Sequence, residues 1–319
     1  MSEKIIIVTF AGRERYLEIQ KNYIFKLLKS HDCEWHLWNF SRNESDNIYL
    51  QNLANTSDSI KIFNQFYDGG NASSNKCEKR EGVICGCSKC RVGRWTEPYK
   101  FYANNDAYKK CFFLKMDDDI LFIDIKNIDG LLKAARTSKN IISSYVINNG
   151  LVAMIDPLLN KRIDKNLLHT VEKARSPLAR AIRNTFFYKV LSGRDVQAIN
   201  WWRLCTSVDF FRISHDFFFE KFDYLVNLPE NKIRLPKSRF SINAILFNWE
   251  IMSQICSKIG NESSMNDEAI ISENFEIDVY TGFVSSHLHF ADQRSLISDE
   301  EELVLLKKYS EMAKKYLIS

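Results

Sequence analysis

The sequence predicts an α/β fold in which helices cover both faces of a mostly parallel β-sheet. Ile5–Phe10 is a continuous apolar and β-branched run, which is typical of a strand buried on both faces. Tyr16–Leu28 follows with apolar residues at helical spacing, so the chain opens with a strand and a helix. Cys111–Met116 and Ile141–Ile147 are further strand-like runs, and strands that alternate with helices favour a parallel sheet.

The chain divides into two halves and a C-terminal helix. Strands alternate regularly with helices in residues 1–150. Within this half, residues 68–94 are rich in Gly, Ser, Asn and Cys, and we expect them to form a long loop. Residues 151–295 are more irregular and aromatic, and we expect them to complete the same domain. A helix over Ser298–Leu317 is expected within 296–319. The shorter predicted elements are the strands Glu34–Phe40 and Ile60–Phe66 and the helices Ile48–Ala54, Glu97–Tyr108 and Val208–Phe222.

Composition is that of a globular protein. The 319 residues are 45% hydrophobic and 13% aromatic, which is enough to bury a full core. The 11 glycines and 5 prolines are too few for a low-complexity or collagen-like chain. No uncharged apolar stretch approaches the roughly 20 residues that cross a bilayer, and Ile5–Ala11 is too short for the core of a signal peptide. We therefore expect a cytoplasmic protein.

Three adjacent aspartates are the strongest candidate site. Asp117, Asp118 and Asp119 follow the strand Cys111–Met116 and precede a second apolar run. Neighbouring carboxylates repel one another and cost stability unless a cation or hydrogen-bond donors compensate. Carboxylate oxygens suit Mg²⁺ or Mn²⁺, and ligands bind at the carboxyl ends of strands in open α/β sheets. The pattern indicates a metal site that clamps a diphosphate, and an acidic turn in solvent is the alternative.

Two histidines near the end of the chain could complete such a site. His287 and His289 stand two residues apart in an apolar run, so both face the same side if the run is a strand. A histidine satisfied within the core is the alternative for each, and we prefer that alternative for His289.

These motifs occur in an order that resembles a known family. KMDDDILF is similar to the DxD motif of GT-A glycosyltransferases, and RFSINAILF, MNDEAIIS and TGFVSSHLHFADQR follow it. Their order and spacing resemble those of bacterial glycosyltransferases of surface-polysaccharide (capsule or lipopolysaccharide) synthesis, and with the opening IVTFAGRERYLE the resemblance extends from Ile5 to Arg294. It implies a Rossmann-like nucleotide-binding sheet and a metal-dependent transfer of sugar from a nucleotide diphosphate donor, a UDP-sugar, to a saccharide acceptor.

The resemblance also implies individual roles at the metal. Asp117 and Asp119 would bind Mn²⁺ or Mg²⁺, with Asp119 the favoured direct ligand. Asp118 would lie near the ribose or the sugar of the donor, and His287 would complete the metal site.

The donor nucleotide has its own candidates. Thr9, Phe10 and Arg13 lie where such enzymes hold the base, and aromatic packing with an arginine fork suits a pyrimidine. Arg13 could equally be a surface cation. Lys100 could reach a donor phosphate as a point charge, or it could be a solvated helix residue.

Two acidic residues are candidates for the catalytic base. Asp267 and Glu268 lie in NDEAII, which is typical of a helix start, and one of them could instead cap the helix. A transfer that inverts the anomeric centre needs one carboxylate at the acceptor hydroxyl. We favour Asp267 narrowly, because its shorter side chain is held more rigidly.

Positive charge is concentrated between residues 161 and 194, where nine basic residues stand against two acidic ones. This segment suggests an acidic partner, such as anionic lipid headgroups or a phosphorylated acceptor at the inner face of the membrane. A solvated helical face is the alternative.

Four cysteines form a separate cluster. Cys77, Cys85, Cys87 and Cys90 have the spacing C-x7-C-x-C-x2-C, which can close a tetrahedral Zn²⁺ site. Free or redox-active thiols are the alternative. The family resemblance does not account for this cluster.

Two other classes of protein share part of the pattern. A sugar nucleotidyltransferase also uses strand-end carboxylates and a metal, but it has a Gly-rich loop after its first strand, where FAGRERY offers one glycine. A zinc-bearing nucleic-acid-binding protein would use the cysteines and the basic segment. It leaves the three aspartates unexplained, since they would repel a phosphate backbone, and we expect no nucleic-acid partner.

We predict that the purified protein carries about one zinc ion per chain, held by the four clustered thiolates. Elemental analysis of protein purified without chelators measures it, and a preparation free of zinc would contradict the zinc hypothesis.

Overall fold

A computed structural model provides the fold for most of the chain. It describes residues 4–65, 67, 88–164, 201–235, 240–259 and 267–318, with side chains in these ranges except at 88–94 and 201–203. The side chains of the cysteine cluster and nearly all of the basic segment lie outside the described residues. The zinc site and the membrane interaction therefore stay predictions.

Nine strands of the described chain pair in one β-sheet. They are β1 (Lys4–Ala11), β2 (Cys33–Asn39), β3 (Ile60–Phe63), β4 (Cys111–Asp117), β5 (Ile120–Ile123), β6 (Ile141–Ile147), β7 (Lys232–Arg234), β8 (Ala244–Asn248) and β9 (Ile277–His287). The order across the sheet is β3-β2-β1-β4-β8-β6-β9-β5, and β7 pairs with β9. Strands β5, β7 and β8 run opposite to the other six.

Helices pack on this sheet in two groups. The helices are α1 (Glu14–Ser30), α2 (Glu44–Ala54), α3 (Ser88–Ala103), α4 (Ile128–Arg136), α5 (Gly150–Ile155), α6 (Pro157–Asn160), α7 (Trp201–Thr206), α8 (Val208–Glu220), α9 (Phe222–Val226), α10 (Trp249–Ile259), α11 (Asp267–Asn274), α12 (Ala291–Arg294) and α13 (Asp299–Ile318). Helices α3 and α10 pack together, and α10 contacts β4 and β8. Helices α1 and α13 pack together over β5. The predicted α/β fold with a mostly parallel sheet is confirmed.

The sheet joins the two halves of the chain directly. β8, from the second half, lies between β4 and β6 of the first half and is antiparallel to both. β9 is fully buried over 11 residues and lies beside β6. Because β1, β4 and β9 share one direction, their carboxyl ends meet at one edge of the sheet.

Most predicted elements agree with the structure to within a few residues. The C-terminal helix Asp299–Ile318 is displaced by one residue at each end from the prediction. The long-loop prediction is wrong at its end, since α3 already begins at Ser88. Proline is typical of the first turn of a helix, so Pro98 favours a helix that begins near Glu97. In the structure, Pro98 lies inside α3 instead. Strands β8 and β9 were not predicted in the half that reads as irregular.

Within the described ranges, no helix is both long enough and apolar enough to cross a bilayer.

One residue after β6 has an unusual backbone. Asn148 has a φ of 60°, in the left-handed region that asparagine tolerates better than most residues. Its side-chain Nδ2 donates to the carbonyl of Leu288 at 2.8 Å and to Gln293 Oε1 at 3.0 Å. Asn148 therefore ties the end of β6 to the segment that follows β9.

We predict that Asn148→Ala lowers the free energy of unfolding by about 1–3 kcal/mol, since buried acceptors lose their donor and alanine resists a positive φ. Asn148→Gly loses the same hydrogen bonds but accepts the backbone, so it should be the more stable variant by about 1 kcal/mol. Urea unfolding of both variants beside the wild type measures this. An alanine variant as stable as the wild type would contradict the role of Asn148.

Candidate functional site

A cleft of about 400 Å³ opens at the carboxyl ends of β1 and β4 and at the residues that follow β9. The three aspartates form its floor. Asp117 is the last residue of β4, and Asp118 and Asp119 make the turn into β5. Asp118 and Asp119 are each only 3% exposed, whereas Asp117 is partly open to the cleft.

The backbone of this turn is held from two sides. Gln20 Nε2 on α1 donates to the carbonyl of Asp117 at 2.9 Å. The backbone N–H of Leu288 donates to the carbonyl of Asp119 at 2.9 Å. The turn that carries the carboxylates is therefore fixed both to α1 and to the end of β9.

Cations of the chain itself compensate the three carboxylates. Arg13 donates from Nε to both oxygens of Asp118 at 3.1 Å, and its Nη2 lies 3.0 Å from Asp119 Oδ2. Lys115 Nζ lies 2.5 Å from Asp117 Oδ1. Repulsion among the aspartates is thus offset even without a bound ion, and buried charges of this kind need such pairing.

Glycine is required beside Asp118. The backbone N–H of Gly12 donates to Asp118 Oδ2 at 3.0 Å. A Cβ at this position would lie 2.8 Å from the carbonyl oxygen of Phe40, which is closer than van der Waals contact. The single glycine of FAGRERY therefore lets β1 approach the end of β2 while it binds the carboxylate.

Asp119 remains ionised despite its burial. Burial alone would raise the pKa of this carboxyl, but Arg13, His287 and His289 together hold the pKa well below its usual value. An ionised carboxylate is the form that binds a metal.

Three side chains could hold a divalent cation. Asp117, Asp119 and His287 each offer a ligand atom, and these atoms all lie within 4.8 Å of one another. His287 Nε2 lies 3.4 Å from Asp119 Oδ1, and the buried His287 Nδ1 has no hydrogen-bond partner among the described residues. Two carboxylates and an imidazole suit Mn²⁺, or Mg²⁺ with water completing the shell. The residues that the sequence points to are brought together by the fold.

His289 lies deeper and joins the site to the C-terminal helix. It is 1% exposed, and its Nε2 is 3.1 Å from the hydroxyl of Tyr16. Tyr16 donates its hydroxyl proton to Glu302 on α13 at 2.5 Å. The preferred alternative for His289, a satisfied core histidine, agrees with these contacts, although its Nδ1 still lies 3.8 Å from Asp119 Oδ2.

Two buried side chains fix the backbone between the histidines. The carbonyl of Leu288 accepts from Asn148 at 2.8 Å and from His215 Nε2 at 2.7 Å. Burial lowers the pKa of His215 to about 3, so the ring is neutral. Since Nε2 donates, Nδ1 is left to accept from the hydroxyl of Tyr309 at 2.8 Å. The position of His287 therefore depends on residues far from the cleft.

One wall of the cleft is aromatic. The rings of Phe40 and Trp95 stack with centroids 4.9 Å apart, and Phe10 contacts Phe40 and Trp95 at 5.3 and 5.7 Å. All three line the cleft. The sequence prediction included Phe10 but missed Phe40 and Trp95, which come from separate segments with no shared motif.

Asp267 and Glu268 also line the cleft, at the start of α11. Tyr99 donates its hydroxyl proton to Asp267 Oδ2 at 3.0 Å, and Ser241 Oγ lies 3.4 Å from Glu268 Oε2. Burial raises the pKa of Asp267 to about 6, and Lys115 opposes this rise in part. The protein interior therefore sets the proton affinity of Asp267.

Four predicted residues have surroundings that differ from the expected ones. Thr9 is fully buried behind Phe10 and accepts from Trp35 Nε1 at 2.9 Å, because neighbouring residues of a strand face opposite sides. Lys100 pairs with Glu97 at 2.7 Å and does not line the cleft, which favours the solvated-helix alternative. Asp118 is occupied by Arg13 and by the N–H of residue 12, and Arg13 contacts carboxylates in this structure.

Similarity to known proteins adds no identification. No protein-family model matches the sequence, and no curated protein matches it. A function for this chain has to be inferred from its own residues and geometry.

We predict that stability depends on pH through Asp267. A carboxyl whose pKa rises from 3.8 to about 6 on folding stabilises the protein below pH 4, and this contribution is lost as pH rises through 6. The wild type should therefore lose up to about 3 kcal/mol relative to Asp267→Asn between pH 4 and pH 7. Urea unfolding with a chelator present measures it. A stability difference that stays constant with pH would contradict the shifted pKa.

Proposed function

We propose that the protein is a metal-dependent glycosyltransferase of the GT-A type. It would transfer a sugar from a nucleotide diphosphate donor, in our expectation a UDP-sugar, to a saccharide acceptor of a bacterial surface glycan. The observation that carries this proposal is the group formed by Asp117, Asp119 and His287 on the floor of a cleft with an aromatic wall.

The position of the cleft in the fold supports nucleotide binding. In open α/β sheets, ligands bind outside the carboxyl ends of the strands. Here β1 and β4 end at the cleft, and the stacked pair Phe40–Trp95 offers an apolar surface for a planar base. Phe10 completes this wall, as the family resemblance implies for the end of the first strand.

The donor set supports a role for a divalent cation. A bound Mn²⁺ or Mg²⁺ would neutralise the charge that develops on the leaving nucleoside diphosphate. Asp117 and Asp119 supply anionic oxygens for the cation, and His287 supplies an imidazole nitrogen. His287 Nδ1 has no hydrogen-bond partner among the described residues.

The environment of Asp267 supports a role as general base. Its pKa of about 6 suits proton transfer near neutral pH, and the hydrogen bond from Tyr99 orients the carboxylate. Asp267 would accept the proton of the acceptor hydroxyl while the glycosidic bond of the donor breaks, as an inverting transfer requires. Glu268 is the second choice.

The enzyme would act at the inner face of the membrane. We propose a cytoplasmic protein whose acceptor is carried on a lipid at the inner face of the membrane. The basic segment 161–194 would provide the contact with anionic headgroups.

A sugar nucleotidyltransferase is the second candidate. It would use the same metal group, but it needs several glycines to wrap the phosphates, and β1 is followed by the single Gly12. Reaction products separate the two candidates. The transferase releases a nucleoside diphosphate, and the nucleotidyltransferase releases pyrophosphate.

We predict that donor turnover depends on Mn²⁺ or Mg²⁺ and falls about a hundredfold or more in Asp119→Asn. The assay follows release of nucleoside diphosphate from nucleotide sugars, one at a time, with Mn²⁺ and with a chelator. Asp129→Asn is the matched control, because Asp129 is exposed on α4 and contacts only His31 among the described ion pairs. Turnover in Asp119→Asn with undiminished metal dependence would exclude the metal site.

We predict that Asp267→Asn lowers turnover by about 10²- to 10⁴-fold while donor binding persists, which is the usual effect of losing a general base. Glu268→Gln should have the smaller effect. If both variants keep near-normal turnover, the base lies elsewhere or the transfer retains configuration. Product NMR of the new anomeric proton separates these two outcomes.

A further inference from the structure

Three arginines line the cleft beside the carboxylates. Arg13 follows β1, Arg42 follows β2 and Arg294 ends α12, so separate segments bring them to one place. Arg294 Nη2 lies 3.6 Å from Asp119 Oδ2, on the same oxygen that Arg13 approaches at 3.0 Å. Arg13 and Arg294 therefore border Asp119 of the proposed metal group.

Arg13 has a donor that the carboxylates do not use. Its Nε and Nη2 contact Asp118 and Asp119, whereas Nη1 is buried without a hydrogen-bond partner among the described residues. Buried donors nearly always have an acceptor, so this one calls for an acceptor from outside the described chain. Arg13 can meet such an acceptor while it keeps its ion pairs.

The arginines also repel one another. Arg13 Nη2 and Arg294 Nη2 approach the same oxygen, Asp119 Oδ2, at 3.0 and 3.6 Å, so two like charges lie close together beside one carboxylate. Asp118 is already engaged by Arg13 and Gly12. A bound anion would relieve this repulsion and satisfy the remaining donors.

We propose that Arg13, Arg42 and Arg294 form a phosphoryl-binding site that takes a diphosphate without a metal. A planar guanidinium group can donate two parallel hydrogen bonds to two phosphate oxygens, whereas a lysine ammonium group cannot. The identity of the diphosphate, as part of a nucleotide donor, rests on the proposed function. The anion site itself rests only on the arginines. It replaces Lys100 as the phosphate contact.

Inorganic pyrophosphate is the probe for this site. Calorimetric titration in the presence of a chelator should show binding to the wild type, and Arg294→Gln and Arg42→Gln should each weaken it about tenfold or more. Arg15→Gln makes the same change of charge nearby. Arg15 is half exposed, pairs with Glu302 at 3.2 Å and does not line the cleft, so we expect a change within about twofold.

Two results would overturn the site. One is the absence of pyrophosphate binding to the wild type with chelator present, and the other is equal weakening by Arg15→Gln. Circular dichroism checks the fold of each variant. If Arg294→Gln does not fold, Arg294→Lys keeps the charge and should still weaken binding, because it lacks the fork.

Binding and turnover measured on the same protein distinguish the anion site from the transferase. Pyrophosphate binding that depends on the arginines, with no nucleotide sugar turned over in Mn²⁺, supports the anion site and contradicts the transferase. Turnover in Mn²⁺ without pyrophosphate binding in chelator supports the transferase and overturns the anion site.

Discussion

The ion pair between Arg13 and Asp118 is the contact on which the cleft depends. Three consecutive carboxylates at the end of a strand would destabilise the folded chain if they were left to repel one another. Arg13 engages Asp118 and Asp119, and Lys115 engages Asp117. The pairing joins the segment that follows β1 to the turn that follows β4. It also explains how the motif folds before any ligand arrives, since the chain supplies its own counter-charges.

The packing of the strands brings the other residues of the site to this ion pair. β4 lies between β1 and β8, so a carboxylate at its end faces residues from both halves of the chain. Asn243, just before β8, donates to Asp117 Oδ2 at 2.9 Å, and the charge of Lys115 opposes the rise in the pKa of Asp267. The same sheet order brings β9 and its histidines beside the turn. A mixed sheet is therefore what allows residues more than a hundred positions apart to share one cleft.

The fold class and the carboxylates of the proposed metal group could be predicted from the sequence because their signals are local. β1, α1 and β4 have regular periodicity, and three consecutive aspartates after a strand are easily recognised in a sequence. The aromatic wall and the arginine cluster could not be predicted, because Phe40, Trp95 and Arg294 meet only through the order of the strands. Lys100 shows a second limit. Neighbouring residues on a helix point about 100° apart, and Tyr99 rather than Lys100 contacts a residue of the cleft, Asp267.

The buried support of Leu288 has a consequence for directed evolution of this protein. The carbonyl between the two histidines is held by His215 on α8, which is held in turn by Tyr309 on α13. Neither side chain lines the cleft, yet both support the backbone that carries the two histidines. Libraries restricted to residues that line the cleft would miss these positions. Substitutions in these helices offer a route to alter the proposed metal site without changing Asp117, Asp119 or His287.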